Sequence, residues 1–71
     1  MSDEIPEVAA LRAAVSVSPE NVPLRAHLAA TLLKYGQAAE AVTEYREALR
    51  LAGDDSALKI GLAQAYDRLG K

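Results

Sequence analysis

Apolar side chains recur with the period of an α-helix in four stretches of this chain, and each stretch has its own start and stop signals. Between residues 6 and 17, Val8, Leu11, Ala14 and Val15 follow one another at steps of three and four, which places them on one stripe of a helix. Asp3 is positioned to cap that helix and Pro6 suits its first turn, where a missing N–H costs nothing. Ser16-Val17-Ser18-Pro19 ends it, because the residue before a proline avoids helical angles and serine competes for backbone hydrogen bonds. A second helix is expected over residues 23–35, with Leu24, Leu28, Thr31, Leu32 and Tyr35 along one face, Asn21 as the N-cap, Pro23 in the first turn, and Lys34 and Gly36 as stop signals. The third, over residues 38–51, turns Ala41, Val42, Tyr45, Ala48 and Leu49 inward and leaves Glu40, Glu44, Arg46, Glu47 and Arg50 wet. After a turn at residues 52–55 the fourth runs over residues 56–69 behind an Asp55 cap, with Leu58, Leu62, Ala65, Tyr66 and Leu69 inward and Gly70 closing it. The expected fold class is all-α, four helices in a single domain.

The pattern also repeats. Displacing the chain by 34 residues against itself pairs Val8 with Val42, Arg12 with Arg46, Ala14 with Ala48, Leu24 with Leu58, Leu28 with Leu62, Ala29 with Ala63 and Gly36 with Gly70. Other pairs keep their chemistry, among them Arg25 with Lys59, Asn21 with Asp55, Lys34 with Arg68 and Leu32 with Tyr66. A constant interval of this size marks a stacked repeat, in which each helical pair buries its apolar side against the next.

Within that repeat, Leu28-Ala29, Leu32, Gly36, Ala41, Tyr45 and Ala48, followed by Leu49 and Leu51, have the spacing of a tetratricopeptide repeat, and the central unit resembles that family. Arg25 stands where the family often has tryptophan, Ala29 where it often has glycine, and Gly53 where it usually has proline. The resemblance covers nearly the whole chain: residues 6–17 as the second helix of a partial repeat, 22–55 as a full repeat and 56–70 as the first helix of a third. It implies antiparallel helix-turn-helix units stacked as a short right-handed solenoid. It also implies a concave groove for a peptide or partner helix, lined on the second helix by Ala26, His27, Ala30, Leu33 and Lys34 and on the fourth by Ile60, Gly61, Gln64, Asp67 and Arg68. Family members that grip acidic tails use lysine and asparagine one turn apart in this groove. Ala26 and Ala30 occupy those places here, so an apolar or helical ligand is the better expectation.

Composition narrows the alternatives. At 71 residues and without cysteine, the chain holds one marginal core and no disulfide or thiolate metal site. A net charge of -2 and a pI near 5.2 oppose a phosphate-binding surface, and a helix-turn-helix nucleic-acid binder would need a basic recognition helix that neither the third nor the fourth helix supplies. Neither a signal peptide nor a membrane span is evident, which points to a cytoplasmic protein.

Candidate chemistry is thin. His27 is the single histidine and has no second ligand for a metal; Asp54-Asp55 is explained by a helix cap. Tyr35, Tyr45 and Tyr66 fall on apolar stripes, Ser16 and Ser18 have no neighbouring base, and the glycines are isolated turn residues. No enzymatic activity, cofactor or metal is expected. The partner is expected to be a protein or peptide, not nucleic acid or membrane. Short Ala-rich segments of this kind resemble those that precede AAA-type ATPase domains in some bacterial proteins, which makes a recruiting or regulatory module the alternative expectation. A further expectation follows from the repeat phase: with Leu58, Leu62, Tyr66 and Leu69 covered only by the third helix, either a longer chain or a second copy in a homo-oligomer covers the ends.

Overall fold

A computed structural model describes residues 4–70. It is all-helical over these residues: α1 is Pro6–Val17, α2 Val22–Lys34, α3 Ala38–Ala52 and α4 Ser56–Arg68. The helix ends fall within a residue of the boundaries expected from the pattern, and the side chains that set them act as caps. Asn21 Oδ1 accepts the Leu24 N–H at 3.1 Å and Asp55 Oδ1 accepts the Leu58 N–H at 3.0 Å, each satisfying one donor that a helix start leaves free. α1 begins with Pro6 after Ile5 and shows no side-chain cap; Asp3, expected in that role, lies outside the described residues. α2 stops where Gly36 takes φ 79°, an angle open to glycine at no steric cost. There the Gln37 N–H reaches the Leu32 carbonyl at 2.8 Å and the Gly36 N–H reaches that of Leu33 at 3.0 Å, the paired bonds of a Schellman close. Tyr35, expected inside the helix on its apolar stripe, is instead the C-cap residue and is 40% exposed.

The helices are 12 to 15 residues long, about 18–22 Å, and the connections at residues 18–21, 35–37 and 53–55 reach at most about 14 Å. A helix that packs on its predecessor after so short a link must run antiparallel to it. α2 packs most extensively on α3, α3 on α4 and α1 on α2, while α2 also touches α4. The result is a slab of 36 × 28 × 13 Å. Its thinnest dimension is that of two helix layers, about 8–10 Å between axes plus one backbone cylinder. α2 touches all three other helices, and the Arg12–Glu40 pair links α1 to α3.

Burial explains why this sequence adopts that arrangement. Leu28, Leu32 and Val8 are the largest side chains with no meaningful exposure, and Ala29, Ala41, Ala48 and Ala65 are fully buried beside them. Alanine in those places lets neighbouring backbones come close, and leucine fills the space between layers. Two arginines tie the layers at their edges. Arg25 donates to the Pro19 carbonyl from Nη2 at 2.7 Å and from Nε at 3.3 Å, and to Glu44 Oε1 from Nη1 at 2.9 Å, so one side chain joins the α1–α2 turn to α3. Arg12 pairs with Glu4 and with Glu40 across to α3, and these two carboxylates raise its already high pKa further. Glu40 and Glu44, like charges one turn apart, therefore find separate cations.

Gly61 is the other point of close approach. A Cβ there would lie 2.8 Å from Tyr45 Oη and closer still to Cε1 and Cζ, because the ring of Tyr45 rests on this bare stretch of α4. Gly61→Ala gains roughly 1 kcal/mol of helix propensity, but displacing a packed ring costs about 1–3 kcal/mol. The expected net effect is destabilisation of about 1 kcal/mol by urea denaturation. In a Tyr45→Leu background, which lacks the three contacting atoms, the same change should stabilise; destabilisation in both backgrounds would exclude this contact as the cause.

Candidate partner-binding groove

Along its length, α2 borders an open groove of about 580 Å³. Pro23, Ala26, His27, Ala30 and Lys34 form one bank at steps of three and four, α4 supplies Ala57 and Leu58 from its first turn, Thr31 and Tyr45 lie at the base, and Glu7 of α1 closes one end. The base is apolar except for two hydroxyls, because Ala26, Ala30 and Ala57 carry only methyl groups and Leu58 is 4% exposed. Tyr45 is 6% exposed and held over Gly61; burial raises the pKa of its phenol, which stays protonated and able to donate.

The Glu7 end carries the charge. Tyr35 Oη donates to Glu7 Oε1 at 2.9 Å, Lys34 Nζ lies 4.0 Å from the same oxygen, and the ammonium sits 5.3 Å from the centre of the Tyr35 ring. The hydrogen bond to Glu7, followed by the charge of that carboxylate, raises the Tyr35 pKa. This cluster joins the start of α1 to the end of α2 and leaves Lys34 at the mouth, where its charge is largely solvated. His27 is exposed on the bank. A groove with small side chains, one buried phenol and charge confined to one end can hold an apolar stretch of polypeptide. Its titratable groups are the Glu7 carboxylate with Lys34 beside it, the buried phenol of Tyr45 and the exposed imidazole of His27.

The expected groove residues divide by helix. Ala26, His27, Ala30 and Lys34 of α2 all line it. Leu33 does not: it is 8% exposed and belongs to the core, continuing the row of the fully buried Ala29 four residues earlier. On α4 none of the five expected residues is among those that line this groove. Gly61 is buried under Tyr45. Ile60, 59% exposed, and Asp67 fall on the side of α4 opposite Leu58 and Ala65. Gln64 and Arg68 are exposed but are not among the lining residues, because only the first turn of α4 reaches the groove.

Four of the residues that do line it, Pro23, Thr31, Ala57 and Leu58, belong to helices whose stripes were legible; Pro23 and Ala57 are 34 residues apart, so extending each bank by one turn upstream would have found them. Glu7 and Tyr45 come from other helices, and no signal in the local pattern marks them. Elsewhere Arg25, Thr43, Glu44, Arg46, Glu47 and Arg50 surround a second depression, of about 650 Å³. Its charges are largely matched, with Arg25 on Glu44 and Arg50 on Glu47, the latter pair lowering the Glu47 pKa and raising that of Arg50.

No family model, curated protein or solved structure matches this chain. No helix among the described residues is long and apolar enough to cross a membrane.

Proposed function

We propose that this chain is a tetratricopeptide-like module that holds a partner helix or peptide in the α2–α4 groove and does not transform it chemically. The observation that supports this reading most is the row Pro23, Ala26, Ala30, with Ala57 facing it: small side chains over a largely apolar base, where another helix can approach closely. The 34-residue recurrence and the antiparallel packing of consecutive helices agree with units stacked in a right-handed solenoid. Affinity in such a groove comes from apolar burial at its centre, with the Lys34–Glu7 end fixing direction.

Selection from a displayed library of helical peptides supplies a ligand for testing this. Ala30→Glu places a carboxylate at the centre of the groove and should weaken the selected peptides by at least about tenfold. Ile60→Glu, on the far side of α4, should leave binding unchanged. Peptides that bind both variants equally would place the binding surface elsewhere.

A further inference from the structure

The 34-residue recurrence allows burial to be compared between matched positions, and the two ends of the slab stand out. Leu28, Ala29 and Leu32 of α2 are 1%, 0% and 0% exposed, with α3 packed against that helix. Their counterparts on α4 are Leu62 and Tyr66, both half-buried, and Ala63, exposed. The helix equivalent to α3 is α1, and it shows the reciprocal deficit. Tyr45 and Ala48 of α3 are 6% and 0% exposed, whereas Leu11 and Ala14 of α1 are half-buried and the adjacent Ala10 is exposed. Neither open face carries a charge at these positions. The chain thus displays a helix of the α2 type lacking its partner and a helix of the α3 type able to serve as one.

We propose that two copies of this chain associate head to tail, with α1 of one laid on α4 of the other as α3 lies on α2 within a copy. The proposal rests on the repeat equivalence used above but not on the groove, so the Ala30→Glu and Ile60→Glu comparison is independent of it. A contact between two different surfaces is not used up by pairing two copies: it propagates as an open chain, or closes into a ring of several copies where the rotation between them allows. Association therefore continues with concentration beyond the dimer.

Sedimentation equilibrium of the 71-residue chain should show a weight-average mass rising past two protomers over concentrations on the order of 10 µM to 1 mM. Ala63→Glu blocks the α4 face and Ala14→Glu the α1 face, and each variant alone should be a monomer. Mixed in equal amounts, they should form a one-to-one complex that grows no further, since each keeps the surface the other lacks. Val17→Glu, at a site 83% exposed and unable to harm the fold, provides a second block of the α1 face, and circular dichroism checks the helicity of every variant.

The register can be tested by a gain. Ala10 matches Glu44 and Lys59 matches Arg25; Lys59 pairs with the exposed Asp54 within its copy, so Ala10→Glu should add a second carboxylate to it between copies and tighten association by about two- to fivefold. A chain monomeric to 1 mM, an Ala14→Glu or Val17→Glu variant that associates as the parent does, a mixture that forms no complex, or an Ala10→Glu variant of unchanged affinity would each overturn the proposal.

Discussion

Truncating Leu32 to alanine should leave most of the protein unfolded, or close to it, at 25 °C. Leu32 has no exposure and lies in the cluster formed with Leu28, Val8, Ala41 and Tyr45. Removing three carbons from such a site costs about 2–5 kcal/mol, depending on how far the walls collapse. A domain of this length has about 4–10 kcal/mol in total, and its small core puts it toward the low end. The walls of this site are themselves constrained, because the alanines around it have no side chain that can move into the void. The upper half of the range is therefore expected. In a thermal melt followed at 222 nm, each kcal/mol lowers Tm by roughly 4–8 °C in a domain of this size. Leu32→Ala should lower it by about 15 °C or more. Ile60→Ala, at a site 59% exposed, provides the comparison and should shift it by no more than a few degrees. Equal shifts would mean that the layer between α2 and α3 is not where the stability lies.

The second large effect is expected at Arg25. Its side chain and that of Glu44 are 14% and 15% exposed, enough to lose most of their water but not all of it. Arg25→Ala leaves the Glu44 carboxylate short of its cation and the Pro19 carbonyl without its side-chain donors. Breaking a fully buried pair by removing one member costs about 3–5 kcal/mol; the residual solvent here reduces that to about 2–3 kcal/mol. Lysine should not rescue it, since an ammonium is a compact point donor and the guanidinium fork spans two acceptors on different elements. The measurement is a urea-denaturation cycle of Arg25→Ala and Glu44→Ala. A coupling of about 1–2 kcal/mol is expected, with the remaining loss from Arg25→Ala assigned to the Pro19 contact. Arg50→Ala, which removes a largely exposed partner from Glu47, should change nothing measurable. Additive losses at Arg25 and Glu44 would show that their contact contributes little.

These two sites differ in how much of their role the local sequence carries. Leu32 was legible because its environment is set by local periodicity: a side chain on the apolar stripe of an amphipathic helix has only the core to face. The caps at Asn21 and Asp55 were legible for the same reason, as each acts within one turn of its own helix. Arg25 was legible only as a departure from a familiar pattern. Its role depends on two acceptors brought together by tertiary packing, one 6 residues away and one 19.

The candidate groove divides along the same line. Its α2 bank follows from helical spacing, apart from Leu33, which the row of Ala29 carries into the core. On α4 the positions 34 residues on from that bank do not line this groove, because the two helices sit in different surroundings. α2 is packed by α1, α3 and α4, whereas α4 meets α3 and a small part of α2. Gly61 illustrates the difference. Its counterpart His27 stands free on the groove bank, while the missing side chain at 61 admits the ring of Tyr45 and draws that position into the core.

That meeting of Tyr45 with Gly61 joins the recurrence, the α3–α4 packing and the base of the groove in a single contact, and a nuclear Overhauser spectrum of the 71-residue chain observes it directly. The account predicts cross-peaks from the Tyr45 ring protons to the Gly61 Hα pair, with those protons shifted upfield by the ring above them. Gly61 Hα resonances at ordinary helical positions, with no cross-peak to Tyr45, would contradict it.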